Sequence, residues 1–184
     1  MIVGMNLCPY TKAVRNRAEA MRCIVCSAID DGSLLDDITA EVHTLAAGQG
    51  ETSLLVVPPT TTWGRALHDD FGQFLSLGWQ VEERLSELAP TTLPLQLALF
   101  HPLAVRSLYA SGAEEDPADY AMRSPHPTIH LLRTADVQAL PPASAARVPE
   151  RNRETLEGLG VAKLRELYAA VRVGRDAETT TTTT

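Results

Sequence analysis

Arg123-Ser124-Pro125-His126-Pro127-Thr128-Ile129-His130-Leu131-Leu132-Arg133 is the stretch that decides the fold. Each proline fixes its own φ and pushes the residue before it, Ser124 or His126, out of the helical region. The entry is therefore stiff and extended, and residues 128–132 read as a short apolar strand with a histidine inside it. No helical pattern separates this strand from the one before it, so it is expected to run antiparallel to a neighbour. A stiff loop that carries a guanidinium and a hydroxyl also suits an anion.

Working outward, three more apolar runs read as strands. They are residues 21–28, closed by an Asp30-Asp31-Gly32 turn, residues 53–57, stopped by Pro58-Pro59, and residues 95–100, ending at His101-Pro102. Helical patterns alternate with them. Pro9 suits a first helical position and predicts a helix opening at Cys8-Pro9-Tyr10. Ser33 predicts the cap of a second helix, with Leu35, Ile38, Val42 and Leu45 on one face. Residues 66–88 read as one long helix and residues 103–122 as an acidic loop. Pro141-Pro142 and the alanines after it read as a linker. Pro149 opens a helix that Gly158 and Gly160 break, and Val161, Leu164, Leu167 and Val171 mark a last one. The expected class is α/β, a four-stranded mixed, mostly parallel sheet flanked by helices in the order α-β-α-β-α-β-β-α-α. Residues 1–175 are expected to form a single domain and residues 176–184 a disordered tail.

Connectivity then predicts a site. Parallel strands would end together at Asp30, Pro58 and His101, and an antiparallel fourth strand would begin there, at Arg123-Ser124. Cys8, at the start of the helix leading into the first strand, falls at the same edge. Ligands in open α/β sheets bind outside the carboxyl ends of the strands. Cys8, His101, Arg123 and Ser124 are therefore expected to converge.

Composition narrows the partners. The 184 residues are 45% hydrophobic and 21% charged, with a formal net charge of −7. An acidic chain without a clustered basic face argues against nucleic acid as the main partner. No apolar run approaches the ~20 residues of a membrane span, so no membrane partner is expected. The three cysteines are an odd number, and the first five residues lack the features of a secretory leader. The expected setting is reducing and cytoplasmic, with organelle import left open.

Each candidate residue has a chemical and a structural reading. Cys8 at a helix start would have a lowered thiol pKa and could act as a nucleophile, or it is a packed small hydrophobe. Cys23 and Cys26 have redox spacing, but three apart in a strand they face opposite sides and read as core. His101 is a general acid or base, or it braces a turn. His130 contacts a ligand or is a satisfied buried histidine, and His126 reads as exposed. Arg123 holds an anion or pairs with Asp119, Glu115 or Glu150. Glu150 and Asn152 bind a ligand or cap a helix. No metal is expected, because no tight ligand spacing occurs, and no cofactor, because no phosphate-cradling glycine loop occurs.

Asn6-Leu7-Cys8-Pro9-Tyr10, Phe100-His101-Pro102, the opening stretch and Pro149-Glu150-Arg151-Asn152 occur in this order. Together they resemble an uncharacterised family of short bacterial and eukaryotic proteins, catalogued as a domain of unknown function, number fourteen-fifteen. The resemblance covers roughly residues 5–160 and implies no established activity. It implies that Cys8, His101, Arg123, Ser124, Pro127, His130, Glu150 and Asn152 sit on the family's recurring motifs. The chain departs from the pattern at Leu103-Ala104-Val105-Arg106, where the family has a Tyr and a Phe, and at Met122, where it has Asn. Cys8-Pro9-Tyr10 is also locally similar to a glutaredoxin active site, although Thr11 stands where the second cysteine would be. The leading expectation is a small-molecule enzyme with a reactive Cys8, His101 beside it, and Arg123-Ser124 holding a small anionic substrate. A non-catalytic binding module for an anionic metabolite and a structural or partner-binding protein are the alternatives.

Overall fold

The structure, a computed structural model, describes residues 7, 17–105, 115–139 and 142–173. Its sheet contains β1 (Met21–Val25), β2 (Thr52–Val56), β3 (Leu95–Phe100) and β4 (Thr128–Arg133), in the spatial order β1-β2-β4-β3. β1 and β2 pair in parallel, whereas β4 pairs antiparallel with both β2 and β3. The mostly parallel sheet expected from the sequence is thereby corrected to a mixed and mostly antiparallel one. β1, β2 and β3 do point the same way, but β4 enters between β2 and β3 and takes the place where those two would have met.

The helices are α1 (Asp31–Ala46), α2 (Thr62–Asp69), α3 (Phe71–Leu88), α4 (Thr134–Gln138) and α5 (Pro142–Arg172), with a 3-10 turn over Pro117–Ala121. The order expected from the sequence is corrected at two connections. Residues 66–88 form two helices because Asp70 is extended (φ −131°, ψ 103°) and its carboxylate accepts the Gln73 N–H over 2.9 Å, capping α3. Residue 142 starts a helix where a linker was expected, so Pro149 lies inside α5, and the kink falls at Gly160 (φ 72°, ψ 156°). α1 is capped by Asp30, not Ser33. The two form a reciprocal box, in which the Asp30 carboxylate accepts the Ser33 N–H over 2.8 Å and the Ser33 hydroxyl accepts the Asp30 N–H over 3.2 Å. The expected helix start at Cys8-Pro9, residues 106–114 of the acidic loop and the tail lie outside the described residues.

The main core lies between the sheet and one helical layer. The pairing register sets Ile24, Leu55, Ile129 and Leu99 in a row across all four strands. Leu34, Ile38, Val42 and Leu45 of α1 and Phe74, Leu77, Val81 and Leu85 of α3 pack in the same cluster. Burying each such side chain contributes about 1.5–3 kcal/mol. β3 comes close to α3 at Gly78, where an added Cβ would lie 2.4 Å from a Leu99 methyl. One row of this face is polar at two positions, Arg22 and Ser53, and α1 answers with a buried Glu41. Arg22 Nε and the Ser53 hydroxyl each donate to Glu41 Oε1 over 2.5 Å.

A second, smaller cluster lies between α5 and the 3-10 turn. It consists of Leu7, Tyr120, Leu156 and Leu164, with Ala121 and Tyr168 packed against it. Leu7 belongs to the first sequence motif, and Tyr120 and Leu156 lie just before the third and just after the last.

Candidate functional site

The ends of β2 and β3 meet the start of β4 at one edge of the sheet, for Val56 and Phe100 both pair with Thr128. The His101 N–H donates to the Met122 carbonyl over 2.9 Å, which ties the end of β3 to the polar run before β4. Arg123 Nε donates to the Ala104 carbonyl over 3.4 Å. The backbone of the His101-Pro102 turn and the Arg123-Ser124 loop thus lie side by side.

The His101 side chain, however, turns inward and is fully buried. Its Nδ1 accepts the Leu103 N–H over 3.0 Å, so Nε2 carries the proton and donates to the Leu67 carbonyl over 2.7 Å. The ring packs between Phe71 and Phe74, with centroids 5.2 and 5.3 Å away. Burial pushes its pKa below the ordinary value, against the opposing pull of the Leu67 hydrogen bond. Both nitrogens of this neutral ring are engaged by backbone, which ties the end of α2 to the turn after β3.

His130 is equally enclosed. The Thr52 hydroxyl donates to the Leu131 carbonyl over 2.7 Å, so its oxygen accepts from His130 Nε2–H over 2.6 Å. Burial pushes the His130 pKa down to about 4. His126, expected to be exposed, is half-buried, and its Nδ1 finds no hydrogen-bond partner among the described residues.

Arg123 lies with its guanidinium 4.3 Å over the Tyr120 ring and donates from Nη1 to Glu115 Oε1. The Tyr120 hydroxyl donates to the same oxygen over 2.7 Å, and Arg165 Nε donates to Glu115 Oε2 over 2.6 Å. Both oxygens of one carboxylate are therefore held by three side chains, from the 3-10 turn, the loop after it and α5. Burial alone would raise the Glu115 pKa, but the hydrogen bonds from Tyr120, Arg123 and Arg165 outweigh it and hold the carboxyl at about 2. Among the described residues in this contact, two guanidiniums meet one carboxylate, an excess of one positive charge. Arg123 is enclosed, at 14% side-chain exposure, whereas Arg165 is open to solvent at 66%.

Ser124 braces the loop. Its hydroxyl donates to the His126 carbonyl over 2.5 Å, and its own carbonyl accepts the Tyr168 hydroxyl over 2.7 Å. Tyr168 in turn stands edge-on to Tyr120, with centroids 6.1 Å apart. On α5, Asn152 Nδ2 donates to the Leu7 carbonyl over 2.6 Å, while Glu150 is exposed. Cys8, the next residue after Leu7, lies outside the described residues.

A cavity of about 180 Å³ opens between the 3-10 turn and α5, lined by Ala118, Ala121, Met122, Asn152, Arg153 and Leu156. A larger one, about 430 Å³, lies between α3 and the start of β3, at the far end of the strands from the motifs. Among the described residues, no group of three or more His, Cys, Asp or Glu is placed to hold a metal ion. None of their helices is long and apolar enough to cross a membrane.

Sequence reasoning put Arg123 at this edge and named Glu115 as one of its possible partners. It missed Tyr120, Arg165 and Tyr168. The available signal was the spacing of three between Arg165 and Tyr168, which sets both on one side of the last helix. No curated protein and no solved structure matches the chain. The family described as "Protein of unknown function (DUF1415)" matches residues 1–166, most of the chain, and the chain belongs to that family.

Proposed function

We propose that the protein binds a small anionic molecule at the Arg123–Arg165 cluster, as a binding module whose recognition does not depend on the Cys8 thiol. The observation that carries this reading is the excess of cation over carboxylate around Glu115, with Arg165 open to solvent. Guanidiniums that converge on one point recognise carboxylate and phosphate groups. The inward position of His101 weighs against its service as a base for Cys8, since both of its nitrogens are engaged.

The test is thermal denaturation of the full chain with citrate or inorganic phosphate as probes. Saturable stabilisation is expected for the wild type and for Cys8→Ser, and its loss for Arg165→Gln. Stabilisation that persists unchanged in Arg165→Gln rejects the site.

A second reading, thiol chemistry at Cys8, draws on one observation, the 2.6 Å hydrogen bond that fixes the carbonyl immediately before that residue. Alkylation by iodoacetamide, mapped by peptide mass, would then show Cys8 reacting well below the pH near 8.5 expected of an ordinary thiol.

A further inference from the structure

We infer that Glu115 is an internal occupant of a carboxylate-binding site, and that the external ligand is a small carboxylate that must displace it. This rests on the anion-binding reading above and deepens it by naming the ligand class and the residue that competes with it.

The contacts show the shape of the group being recognised. Arg123 Nη1 and the Tyr120 hydroxyl converge on Oε1 of Glu115. Arg165 Nε and Nη2 converge on Oε2, each at 2.6 Å. Donors are thus divided between the two oxygens of one flat group, the arrangement a bidentate carboxylate site presents. Tyr120 is 1% exposed and its ring stacks under Arg123, so two of the donors are held in place by packing. The third, Arg165, is a solvent-exposed side chain that can follow an exchanging group.

The charges favour exchange. With Glu115 in place, the two guanidiniums share one carboxylate among the described residues. A dicarboxylate would replace that charge with two and balance the cations. Glu115 competes as part of the same chain, at an effective concentration of order millimolar or more, so it weakens an external carboxylate without abolishing its binding.

The experiment titrates the full chain with succinate by isothermal calorimetry at pH 7 and low salt, with inorganic phosphate in a parallel arm. Wild type, Arg165→Gln, Glu115→Gln, Glu115→Asp and Glu115→Gln with Arg165→Gln are compared. Removal of the competing charge is expected to tighten succinate binding about tenfold in Glu115→Gln, and the added Arg165→Gln to abolish it. Glu115→Asp keeps the charge but shortens its reach. It guards against a Gln variant that fails to fold, and an intermediate gain is expected from it. Wild-type binding that depends on Arg165 but does not tighten in either Glu115 variant overturns the internal-occupant inference and leaves the anion reading standing. If no folded variant binds either probe, the anion reading itself fails. Phosphate bound more tightly than succinate by Glu115→Gln overturns the assignment to carboxylates.

Discussion

Asn152 reaches across the fold to Leu7, and its Nδ2 donates to the Leu7 carbonyl over 2.6 Å. The two residues are 145 positions apart in sequence, and they belong to the last and first motifs by which the family was recognised. The bond fixes the backbone immediately before Cys8 on a small core of Leu7, Tyr120, Leu156 and Leu164. Asn152→Ala removes the donor and leaves a half-enclosed carbonyl unpaired, at a cost of about 1–2 kcal/mol. Asn152→Asp should cost at least as much, since an ionised carboxylate cannot donate to a carbonyl. Urea denaturation checks both. An Asp variant as stable as wild type would show that the amide does not act as a donor.

His130 should set an acid limit on stability. An ordinary histidine takes up a proton near pH 6.5, but burial holds that of His130 down to about 4. Between these values the unfolded chain carries the proton and the folded chain does not. Stability is therefore fully present above about pH 6.5 and is lost as pH falls toward 4, by an amount on the order of 3 kcal/mol. His101, whose pKa is also lowered by burial, acts in the same direction. Urea midpoints measured from pH 7.5 to 4.5 should fall across this window. In His130→Gln, whose amide can still donate to Thr52, they should fall less. Equal slopes in the two proteins would rule out His130 as the titrating group.

Strand positions were legible because each β-run is short and apolar, and the first three are closed by Pro, Gly or Asp. Thr52–Val56 and Leu95–Phe100 are each followed two residues later by a proline, which cannot donate to a ladder. The sheet order was less legible. β-pairing depends on which strand enters the gap between two others, and nothing within β4 says that its partners are β2 and β3. The break at Asp70 was hidden because the apolar spacing of Leu67, Phe71 and Phe74 continues through it. The chain order put the His101 turn and Arg123 at one edge, and their backbones lie side by side there. The direction of the His101 side chain was not readable, since its partners are the backbone of Leu67 and Leu103. Backbone groups carry no signature of their own in a sequence. Glu41 was missed for a similar reason, because its partners Arg22 and Ser53 become neighbours only when β1 pairs with β2.

Two glycines in helices should respond to alanine with opposite signs. Gly64 lies in the first turn of α2, where its N–H donates to the Thr61 hydroxyl over 2.9 Å. A Cβ there would stand 2.5 Å from the Pro58 carbonyl oxygen. That neighbour is backbone, just after the end of β2, and cannot rotate away as a side chain would. Overpacking of this kind costs about 1–3 kcal/mol, more than the ~1 kcal/mol that alanine gains over glycine in a helix. Gly158, by contrast, lies in α5 with nothing within 4 Å of a built Cβ, and its φ is not positive. Gly158→Ala should therefore raise stability by about 0.5–1 kcal/mol through the lower entropy of the unfolded chain. Thermal unfolding of the two variants beside the wild type gives the comparison. A Gly64→Ala protein as stable as Gly158→Ala would mean that the start of α2 is not packed on the Pro58 carbonyl.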